Sequence, residues 1–320
     1  KPSDQTALTN SGSNRHYFRM ESEDKQVSLI GVQGTSRDEN RAFIAMAQHF
    51  NKQQLNVPKV LAVSDDEMSY VQEDLGGVSL FDYIAEGRKT GVFSEKEKGV
   101  LRKTMRALAR FQVKGGEGFD YSQCYPQPEF NLRSILWDLN YFKYCFLKAT
   151  GLDFQEDKLE NEFERLAYIL LQAKEKAFLY RDFQSRNVMI RDEEPYFIDF
   201  QGGRKGPVYY DVASFLWQAK ANFHAELRQE LIQAYLDELK QLMPIDETEF
   251  VETLKHFVLF RTIQVLGAYG FRGYFEKKPH FLQSIPFAIE NLRQLLKTDQ
   301  PPPLHPLKAP LSPPFTAPAL

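Results

Sequence analysis

The sequence predicts an α+β protein in which a small antiparallel β lobe precedes a larger, mainly helical lobe. Five short apolar runs, separated by polar turns, come before residue 75, and such runs are typical of strands. From residue 79 onward, apolar residues recur with the period of an α-helix. A second group of short strand-like runs, between residues 177 and 199, interrupts the helices and carries acidic and amide side chains at its ends.

The composition is that of a globular protein and disfavours several classes. Hydrophobic residues make up 42% and aromatic residues 13% of the 320 residues, enough for a large core. A formal net charge of −3 indicates neither a nucleic-acid nor a membrane partner. Cys124 and Cys145 have no zinc-site or disulfide-scaffold spacing. No apolar run approaches the ~20 residues of a membrane helix and no signal peptide is visible, so we expect a cytoplasmic protein.

The small lobe is predicted to contain five strands and one helix. The predicted strands span 5–9, 17–20, 27–32, 57–63 and 68–72, and the predicted helix spans 37–51. Acids and glycines at 73–77 then break the pattern, as a hinge between lobes does. We therefore expect a nucleotide-binding lobe over 1–75 and a catalytic and substrate lobe over 76–298.

Helices dominate the larger lobe. They are predicted at about 94–113, 130–147, 159–174, 212–220, 223–242 and 247–266. Ser94, followed by Glu97, has the pattern of a capping box at the start of the first of them. The aromatic residues of 130–147 are typical of a core, although sugars also stack on aromatic faces. The segment 204–207, Arg-Lys-Gly-Pro, is predicted to be a loop.

The last 22 residues differ from the rest of the chain. Residues 299–320 contain eight prolines, little charge and no helical period. Such segments favour extended polyproline structure and act as stiff spacers. We expect this one to connect to a further domain or to dock on a neighbour, so that deleting 301–320 leaves melting temperature and activity almost unchanged.

The most informative stretch runs from Phe178 to Gly203. Asp182 and Asn187 lie five residues apart in one loop, and Asp199 follows at the end of a strand hairpin. Phosphoryl transfer by kinases uses this set: one Asp accepts the proton of the attacking hydroxyl, while an Asn and a second Asp hold magnesium. Each residue alone is typical of an ordinary polar turn, but the combination favours a kinase.

This stretch resembles the catalytic and metal loops of the aminoglycoside phosphotransferase and choline kinase-like family, which are small-molecule relatives of protein kinases. Its details are most similar to the branch that phosphorylates N-acetylmuramate and N-acetylglucosamine at the anomeric position. The motifs that carry the resemblance are Arg181-Asp182-Phe183, Ser185-Arg186-Asn187, Ile198-Asp199-Phe200-Gln201 and Gly206-Pro207-x-x-Tyr210-Asp211. It covers about residues 5–297, with its specific part in 178–211.

The resemblance implies a bilobal protein-kinase-like fold, ATP and Mg²⁺ as cofactors, and a small-molecule sugar as substrate. It implies Asp182 as the catalytic base, Asn187 and Asp199 as metal ligands, and Asp211 as a brace for the catalytic loop. The implied nucleotide-binding residues are Gly12, Ser13, Arg15, Gln72, Glu73 and Leu75. The implied substrate contacts are Arg186, Gln201, Asp138 and Gln264.

Three positions depart from the family pattern. Tyr180 stands where many relatives have His, and Gln201 stands where protein kinases have Gly. The strand at 27–32 lacks the lysine that kinases use to bind phosphates. Candidates to supply that charge are Arg15, Arg186 and, less favoured, Lys25. Glu39, near the start of the following helix, is where the partner of the absent lysine would lie.

The predicted reaction is transfer of the γ-phosphoryl group of ATP to a sugar hydroxyl, and three alternatives stay open. An antibiotic-modifying aminoglycoside kinase would need an acidic cleft, and Arg204 and Lys205 argue against one. A nucleotide- or sugar-binding pseudokinase is favoured by the absent lysine and by Tyr180, but the complete set of Asp182, Asn187 and Asp199 argues against it. A protein kinase is disfavoured because no A-P-E element follows the metal motif.

Overall fold

A computed structural model of the chain describes residues 4–8, 15–24 and 26–296. It confirms the predicted α+β class, with a five-stranded antiparallel sheet followed mainly by helices. The chain forms two compact units. The first comprises residues up to Phe130, Glu175–Phe215 and Phe223–Ile245, and the second comprises Asn131–Lys174, Leu216–Asn222 and the residues from Asp246 onward. The predicted lobe boundary at residue 75 falls inside the first unit and stays a prediction, and the proline-rich segment lies outside the described residues.

The strands form one sheet and two hairpin-like pairs. They are β1 Asp4–Leu8, β2 His16–Glu21, β3 Ser28–Gln33, β4 Val60–Val63, β5 Ser69–Glu73, β6 Lys176–Leu179, β7 Val188–Arg191, β8 Glu194–Phe197 and β9 Arg204–Pro207. The sheet has the order β1-β2-β3-β5-β4, while β6 pairs with β9 and β7 with β8. The predicted loop at 204–207 was therefore wrong: pairing with β6 overrides the turn-like composition of this segment.

The α-helices are distributed over both units. They are α1 Arg37–Lys52, α2 Leu80–Tyr83, α3 Ala85–Thr90, α4 Glu95–Gly116, α5 Leu132–Phe142, α6 Glu156–Leu171, α7 Tyr209–Leu216, α8 Ala225–Leu242, α9 Glu247–Gly270, α10 Pro279–Leu282 and α11 Ile285–Leu296. The predicted capping box is present, because Ser94 and Glu97 bond reciprocally at the start of α4. No helix in the described part of the chain is both long enough and apolar enough to cross a bilayer.

The register of the sheet lines up two rows of side chains on one face. Arg19 in β2 lies opposite Ile30 in β3, which lies opposite Gln72 in β5. Tyr17 and Tyr70 form the neighbouring row with Val32 between them. Because side chains two residues apart point to the same face of a strand, both rows face the same way.

Aromatic packing joins this sheet to the catalytic segment within the first unit. Phe43 of α1 stacks on Tyr70 with ring centroids 5.1 Å apart, and on Phe200 with centroids 4.8 Å apart. Phe50, two turns further along the buried face of α1, contacts the ring of Phe178 in β6. Offset and edge-on aromatic contacts stabilise beyond the area that they bury. The sheet, α1 and the segment after β8 therefore share one core.

In the second unit, α5 packs closely against α9. A Cβ atom added to Gly267 of α9 would lie 2.8 Å from the backbone nitrogen of Phe142 in α5, so only glycine permits this approach. The predicted helix at 130–147 begins at Leu132, because Asn131 caps it, and ends in a π-helical turn over Lys143–Leu147. Trp137 is 51% exposed, so the aromatic residues of this helix are only partly core.

Candidate active site

The structure brings Asp182, Asn187 and Asp199 together in the first unit. Asp182 lies in the loop after β6, Asn187 immediately before β7, and Asp199 shortly after β8. The hairpin of β7 and β8 joins the last two, and the amide of Ile198 donates to the carbonyl of Asn187 at 3.0 Å. Asn187 Nδ2 donates to the backbone carbonyl of Asp182 at 2.9 Å. The three predicted residues therefore form one connected group, although their roles stay predictions.

Asp211 braces the loop that carries Asp182, as expected. Its carboxylate is fully buried and accepts from the backbone amides of Tyr180 and Arg181, each at 2.8 Å. Gln112 of α4 donates to it as well, also at 2.8 Å. Arg181 has a φ of 78°, a left-handed conformation that is unfavourable for a non-glycine residue. The bond from Asp211 to its amide helps to hold that conformation immediately before Asp182.

Tyr180 explains the departure from histidine. Its ring is fully buried, and its hydroxyl donates to the backbone carbonyl of Ile198, with a longer contact of 3.4 Å to the carbonyl of Asn187. Ile198 directly precedes Asp199. The phenol therefore ties the catalytic loop to the segment that carries the metal-binding candidate.

Asp199 is held in an unusual backbone conformation with a φ of 64°. Gln201 Nε2 donates to Asp199 Oδ1 at 2.8 Å, so the glutamine contacts the carboxylate directly. Burial raises the pKa of Asp199, while the Gln201 hydrogen bond lowers it. The negative charge of Asp182 raises this pKa further, and the positive charge of Arg15 lowers it. Because burial destabilises the ionised form of this carboxylate, a cation that binds beside it would stabilise it strongly.

The donor set fits Mg²⁺. Asn187 uses Nδ2 to bond a carbonyl, so its Oδ1 faces away from that bond and accepts none from the described residues. Asp199 likewise keeps Oδ2, because Gln201 occupies Oδ1. No group of three His, Cys, Asp or Glu with metal-site geometry occurs within residues 4–8, 15–24 and 26–296. Mg²⁺ does not need one, since it commonly takes one or two protein oxygens and completes its shell with phosphate and water.

Arg15 is a buried arginine that interacts electrostatically with Asp199. It is 3% exposed, and its guanidinium lies 3.3 Å from the carboxylate of Glu39 in α1. Burial raises the pKa of Tyr17 to about 12, with Asp199 acting in the same direction and Arg15 opposing it. Arg15, Tyr17, Glu39 and Asp199 are therefore close enough to interact electrostatically. Lys25, the other basic candidate, lies outside the described residues.

A cavity of about 290 Å³ adjoins this group. Its lining combines apolar side chains from the sheet and the hairpin with a polar end at the metal-binding candidates. The lining residues are Leu8, Tyr17, Arg19, Ile30, Phe43, Tyr70, Gln72, Glu73, Asp74, Leu75, Gly76, Arg186, Asn187, Met189, Ile198 and Asp199. The predicted nucleotide-binding residues Gln72, Glu73 and Leu75 thus share one cavity with Asn187 and Asp199.

The segment after β5 is anchored by contacts that the sequence analysis missed. Asp74 accepts from Arg19 Nε at 2.6 Å, from Ser28 Oγ at 2.5 Å and from the amide of Gly76 at 2.9 Å. Arg19 also donates to the carbonyl of Gly76 at 3.0 Å. The spacing of Tyr17 and Arg19 in the predicted strand at 17–20 was a signal that polar side chains share a face there.

Arg186 lies in the catalytic loop and lines the cavity. Its guanidinium lies 4.5 Å from the centroid of the Phe81 ring, and that of Arg88 lies 3.2 Å from the same centroid. Burial lowers the pKa of Arg88, and the positive charge of Arg186 lowers it further. The sequence analysis did not predict this cluster, because Phe81 and Arg88 lie in two separate short helices, α2 and α3, far from the catalytic loop in the sequence.

The remaining predicted residues are distributed as follows. Gly12 and Ser13 lie outside the described residues. Asp138 lies on α5 and Gln264 on α9, both in the second unit, where Gln264 accepts from Arg261. Their contact with a substrate stays a prediction. Arg204 is 2% exposed and donates to the carbonyl of Gly202. Because its charge is buried, it is no evidence against an acidic cleft for an aminoglycoside.

Comparisons with known proteins agree with this geometry. The model of the phosphotransferase enzyme family matches residues 4–245. The chain is 27% identical over 248 residues to an N-acetylmuramate/N-acetylglucosamine kinase of Neisseria meningitidis serogroup B, covering 75% of this chain and 71% of that protein. It is 22% identical over 294 residues to a kinase of the same name from Pseudomonas aeruginosa, covering 89% of this chain and 81% of the relative.

A solved structure supports the fold alone. It is the amicoumacin kinase in complex with AMP-PNP, Ca²⁺ and Ami, which is 12% identical and superposes with a TM-score of 0.66 over 92% of this chain and 89% of that one. The protein-kinase-like fold expected from the sequence is thereby confirmed. Because the family model spans well over half of the chain and the set of Asp182, Asn187 and Asp199 is complete, the protein belongs to the phosphotransferase enzyme family.

Proposed function

We propose that this phosphotransferase uses ATP and Mg²⁺ to phosphorylate the anomeric hydroxyl of N-acetylmuramate or N-acetylglucosamine. The observation that carries the proposal is the connected group of Asp182, Asn187 and Asp199 beside a cavity lined by the nucleotide-binding candidates. Two relatives that cover most of the chain bear the name of this amino-sugar kinase, which supports the choice of acceptor.

Asp182 acts as the base. Its side chain is exposed, while the backbone on either side is fixed by Asp211 and Asn187. An exposed carboxylate on a fixed loop can approach an acceptor hydroxyl and take its proton as the phosphoryl group is transferred. An anomeric hydroxyl belongs to a hemiacetal and is more acidic than an ordinary alcohol, so it places a smaller demand on the base.

Asn187 and Asp199 would hold the metal through Asn187 Oδ1 and Asp199 Oδ2, the oxygens left free by the hydrogen bonds within the loops. When bound, Mg²⁺ neutralises phosphate oxygens and orients the transferred group. The protein's own contribution is to fix both ligands before nucleotide arrives, through the hairpin of β7 and β8 and the hydroxyl of Tyr180.

Arg15 supplies the charge that kinases usually take from a lysine in the third strand. Its ion pair with Glu39 matches the pairing of that lysine with the glutamate of the following helix. Arginine keeps its charge at any physiological pH and presents several donors, both of which suit phosphate binding. Arg186, which lines the cavity, supplies a second positive charge.

The cavity favours adenine as the base. Ile30, Leu75 and Met189 provide apolar walls. Gln72 is 8% exposed, and its Oε1 is enclosed without a hydrogen-bond partner among the residues that the structure describes. A buried acceptor gains most from a donor. The exocyclic amino group of adenine is such a donor, whereas guanine presents an oxygen at the same ring position.

Contact of Asp138 and Gln264 with the acceptor stays a prediction. Incubation with ATP, Mg²⁺ and a panel of N-acetylated amino sugars and aminoglycosides tests the proposal. We expect turnover of N-acetylglucosamine or N-acetylmuramic acid to a 1-phosphate, read by phosphorus NMR.

The 1-O-methyl glycoside of the same sugar is the matched control, because it differs only by blocking the proposed hydroxyl, and it should not react. A 6-phosphate signal would contradict the anomeric position. Activity restricted to aminoglycosides would contradict the proposed class of acceptor. If no compound of the panel supported ATP consumption, the proposed acceptor would be wrong and another alcohol would have to be sought.

A further inference from the structure

The amide of Gln201 has an orientation that chemistry determines. Its side chain contacts Asp199 Oδ1 at 2.8 Å, and an ionised carboxylate only accepts hydrogen bonds. Nε2 must therefore be the atom that faces Asp199. This bond occupies one carboxylate oxygen, and Oδ2 accepts no hydrogen bond from the described part of the chain.

The opposite end of the same amide is unsatisfied. Gln201 Oε1 is buried and has no hydrogen-bond partner within residues 4–8, 15–24 and 26–296. A buried carbonyl without a donor destabilises the folded state, because it loses its bonds to water and gains nothing in return. A methionine of similar length would avoid this loss.

The fold of the loop does not depend on Gln201. Phe200 is fully buried and stacks on Phe43 at 4.8 Å, which fixes the loop on α1. The amide of Gly203 donates to the carbonyl of Phe200 at 2.9 Å, and Arg204 donates to the carbonyl of Gly202. These contacts hold the backbone on both sides, so the particular contribution of the glutamine is its bond to the carboxylate.

We propose that Gln201 is a positioning residue of the metal site, which fixes the carboxylate of Asp199 so that Oδ2 is presented to the cation. This inference rests on the proposed function and replaces the expectation that Gln201 contacts the sugar. Neighbours that orient metal-binding side chains typically change metal affinity 10- to 100-fold when they are removed. On this proposal Gln201 strengthens metal binding while its own Oε1 stays buried and unsatisfied. Its removal should therefore lower metal affinity without lowering the stability of the fold.

The test measures ATP binding by calorimetry with and without Mg²⁺, and without any acceptor. In the wild-type protein we expect Mg²⁺ to tighten ATP binding. In Gln201→Met, that tightening should fall about 10-fold or more, while metal-free ATP binding changes less than about two-fold and the melting temperature stays equal or rises. Gln53→Met is the matched control: Gln53 is also half-buried and donates from Nε2 to a carbonyl, that of Glu117 at 3.3 Å, away from the cavity.

A second variant separates the donor from the size of the side chain. Gln201→Glu keeps the length and shape of the side chain but puts an oxygen, which only accepts, in place of the donating Nε2. It should therefore lose the Mg²⁺ effect at least as strongly as Gln201→Met. Retention of the full Mg²⁺ effect in either variant would overturn the proposal. So would a loss accompanied by a lower melting temperature and weaker metal-free binding, which would indicate a structural role. A wild-type protein whose ATP binding ignores Mg²⁺ would overturn the proposed function together with this inference.

Discussion

The catalytic loop and the metal loop hold their acidic residues by different means. The loop of Asp182 is fixed through its backbone, whose amides bond the buried carboxylate of Asp211, while the side chain of Asp182 is exposed. In the metal loop the carboxylate of Asp199 is itself fixed, by Gln201 and by a left-handed backbone. The side chain of a general base must be able to reach the acceptor hydroxyl and take up its proton, whereas a metal ligand must keep one position. The two forms of support match these two demands.

One side chain joins the two loops. The hydroxyl of Tyr180, which precedes the catalytic loop, bonds the carbonyl of Ile198 at the start of the metal loop. Substitutions can therefore test the difference between the loops at the aspartates themselves, at Asp211, or at Tyr180.

Substitution at the two aspartates should have the largest effect and should separate the loops. Asp182→Asn should lower turnover by about 10²–10⁴-fold, the usual contribution of a general base, and should leave Mg²⁺-dependent ATP binding intact. Asp199→Ala should instead abolish the Mg²⁺-dependent part of binding. Steady-state kinetics and calorimetry measure the two effects. Asp192→Asn is the control, since Asp192 is an exposed acid in the turn of the neighbouring hairpin. Near wild-type turnover of Asp182→Asn would show that the catalytic loop has been misassigned.

Removal of the brace should destabilise the whole first unit. Asp211→Ala leaves the backbone amides of Tyr180 and Arg181 without their acceptor, while the side-chain amide of Gln112 keeps only its 3.2 Å bond to the carbonyl of Val208. At 1–3 kcal/mol for each unsatisfied buried group, the unfolding free energy should fall by about 3 kcal/mol or more. Urea denaturation measures this, with exposed Asp157→Ala as control. A loss below about 1 kcal/mol would mean that water replaces the carboxylate.

The same brace should give the stability a pH dependence. Burial raises the pKa of Asp211 to about 6, against opposing hydrogen bonds from Tyr180, Gln112 and Arg181. Because the folded state holds this proton more tightly than the unfolded chain, its contribution to stability is complete below about pH 4 and is lost as the pH rises through about 6. The wild-type protein should therefore lose on the order of 2 kcal/mol relative to Asp211→Asn over this range. A constant difference between the two unfolding curves would contradict the raised pKa.

Removal of the hydrogen bond that connects the two loops should destabilise the protein less than removal of Asp211. Tyr180→Phe keeps the buried ring but removes the donor to Ile198, leaving a buried carbonyl unsatisfied, which costs about 1–3 kcal/mol. Thermal unfolding should detect the change, and turnover should fall because the metal loop loses its tie to the catalytic loop. Tyr168→Phe removes a hydroxyl from a residue that is 67% exposed and should change neither property. Equal stability of the two variants would show that the phenol bond contributes little.

Loss of the buried arginine should have the smallest effect of the series. Arg15→Met should weaken Mg²⁺-ATP binding by about 10-fold, equivalent to about 1.4 kcal/mol, because the phosphates lose one of two proposed cations. Arg37→Met, on the exposed start of α1, is the control. Unchanged affinity in Arg15→Met would leave Arg186 as the phosphate-binding residue and would remove Arg15 from the site.

Local patterns predicted the sheet, the main helices and the set of Asp182, Asn187 and Asp199, because strand length, helical period and motif spacing are properties of short segments. Arg15 was also named in advance, and the structure places it beside Glu39. Its role stays a prediction.

Long-range pairs could not be predicted in this way. Arg19 and Asp74 lie 55 residues apart in the sequence, and Gln112 and Asp211 lie 99 apart, so no local pattern connects their members. The strand β9 was missed for a related reason. Its residues have the composition of a turn, and only β6, supplied from elsewhere in the chain, makes them a strand.

The ion pair between Arg15 and Glu39 has a consequence for how sequences of this kind are sorted. A survey that judges catalytic competence by a lysine in the third strand would place this chain among the inactive relatives, since β3 contains none. The positive charge nevertheless reaches α1 from the start of the neighbouring strand. A survey should instead ask whether any buried cation lies near the proposed phosphate site. By that criterion, Arg15 would place this chain among the candidates for activity.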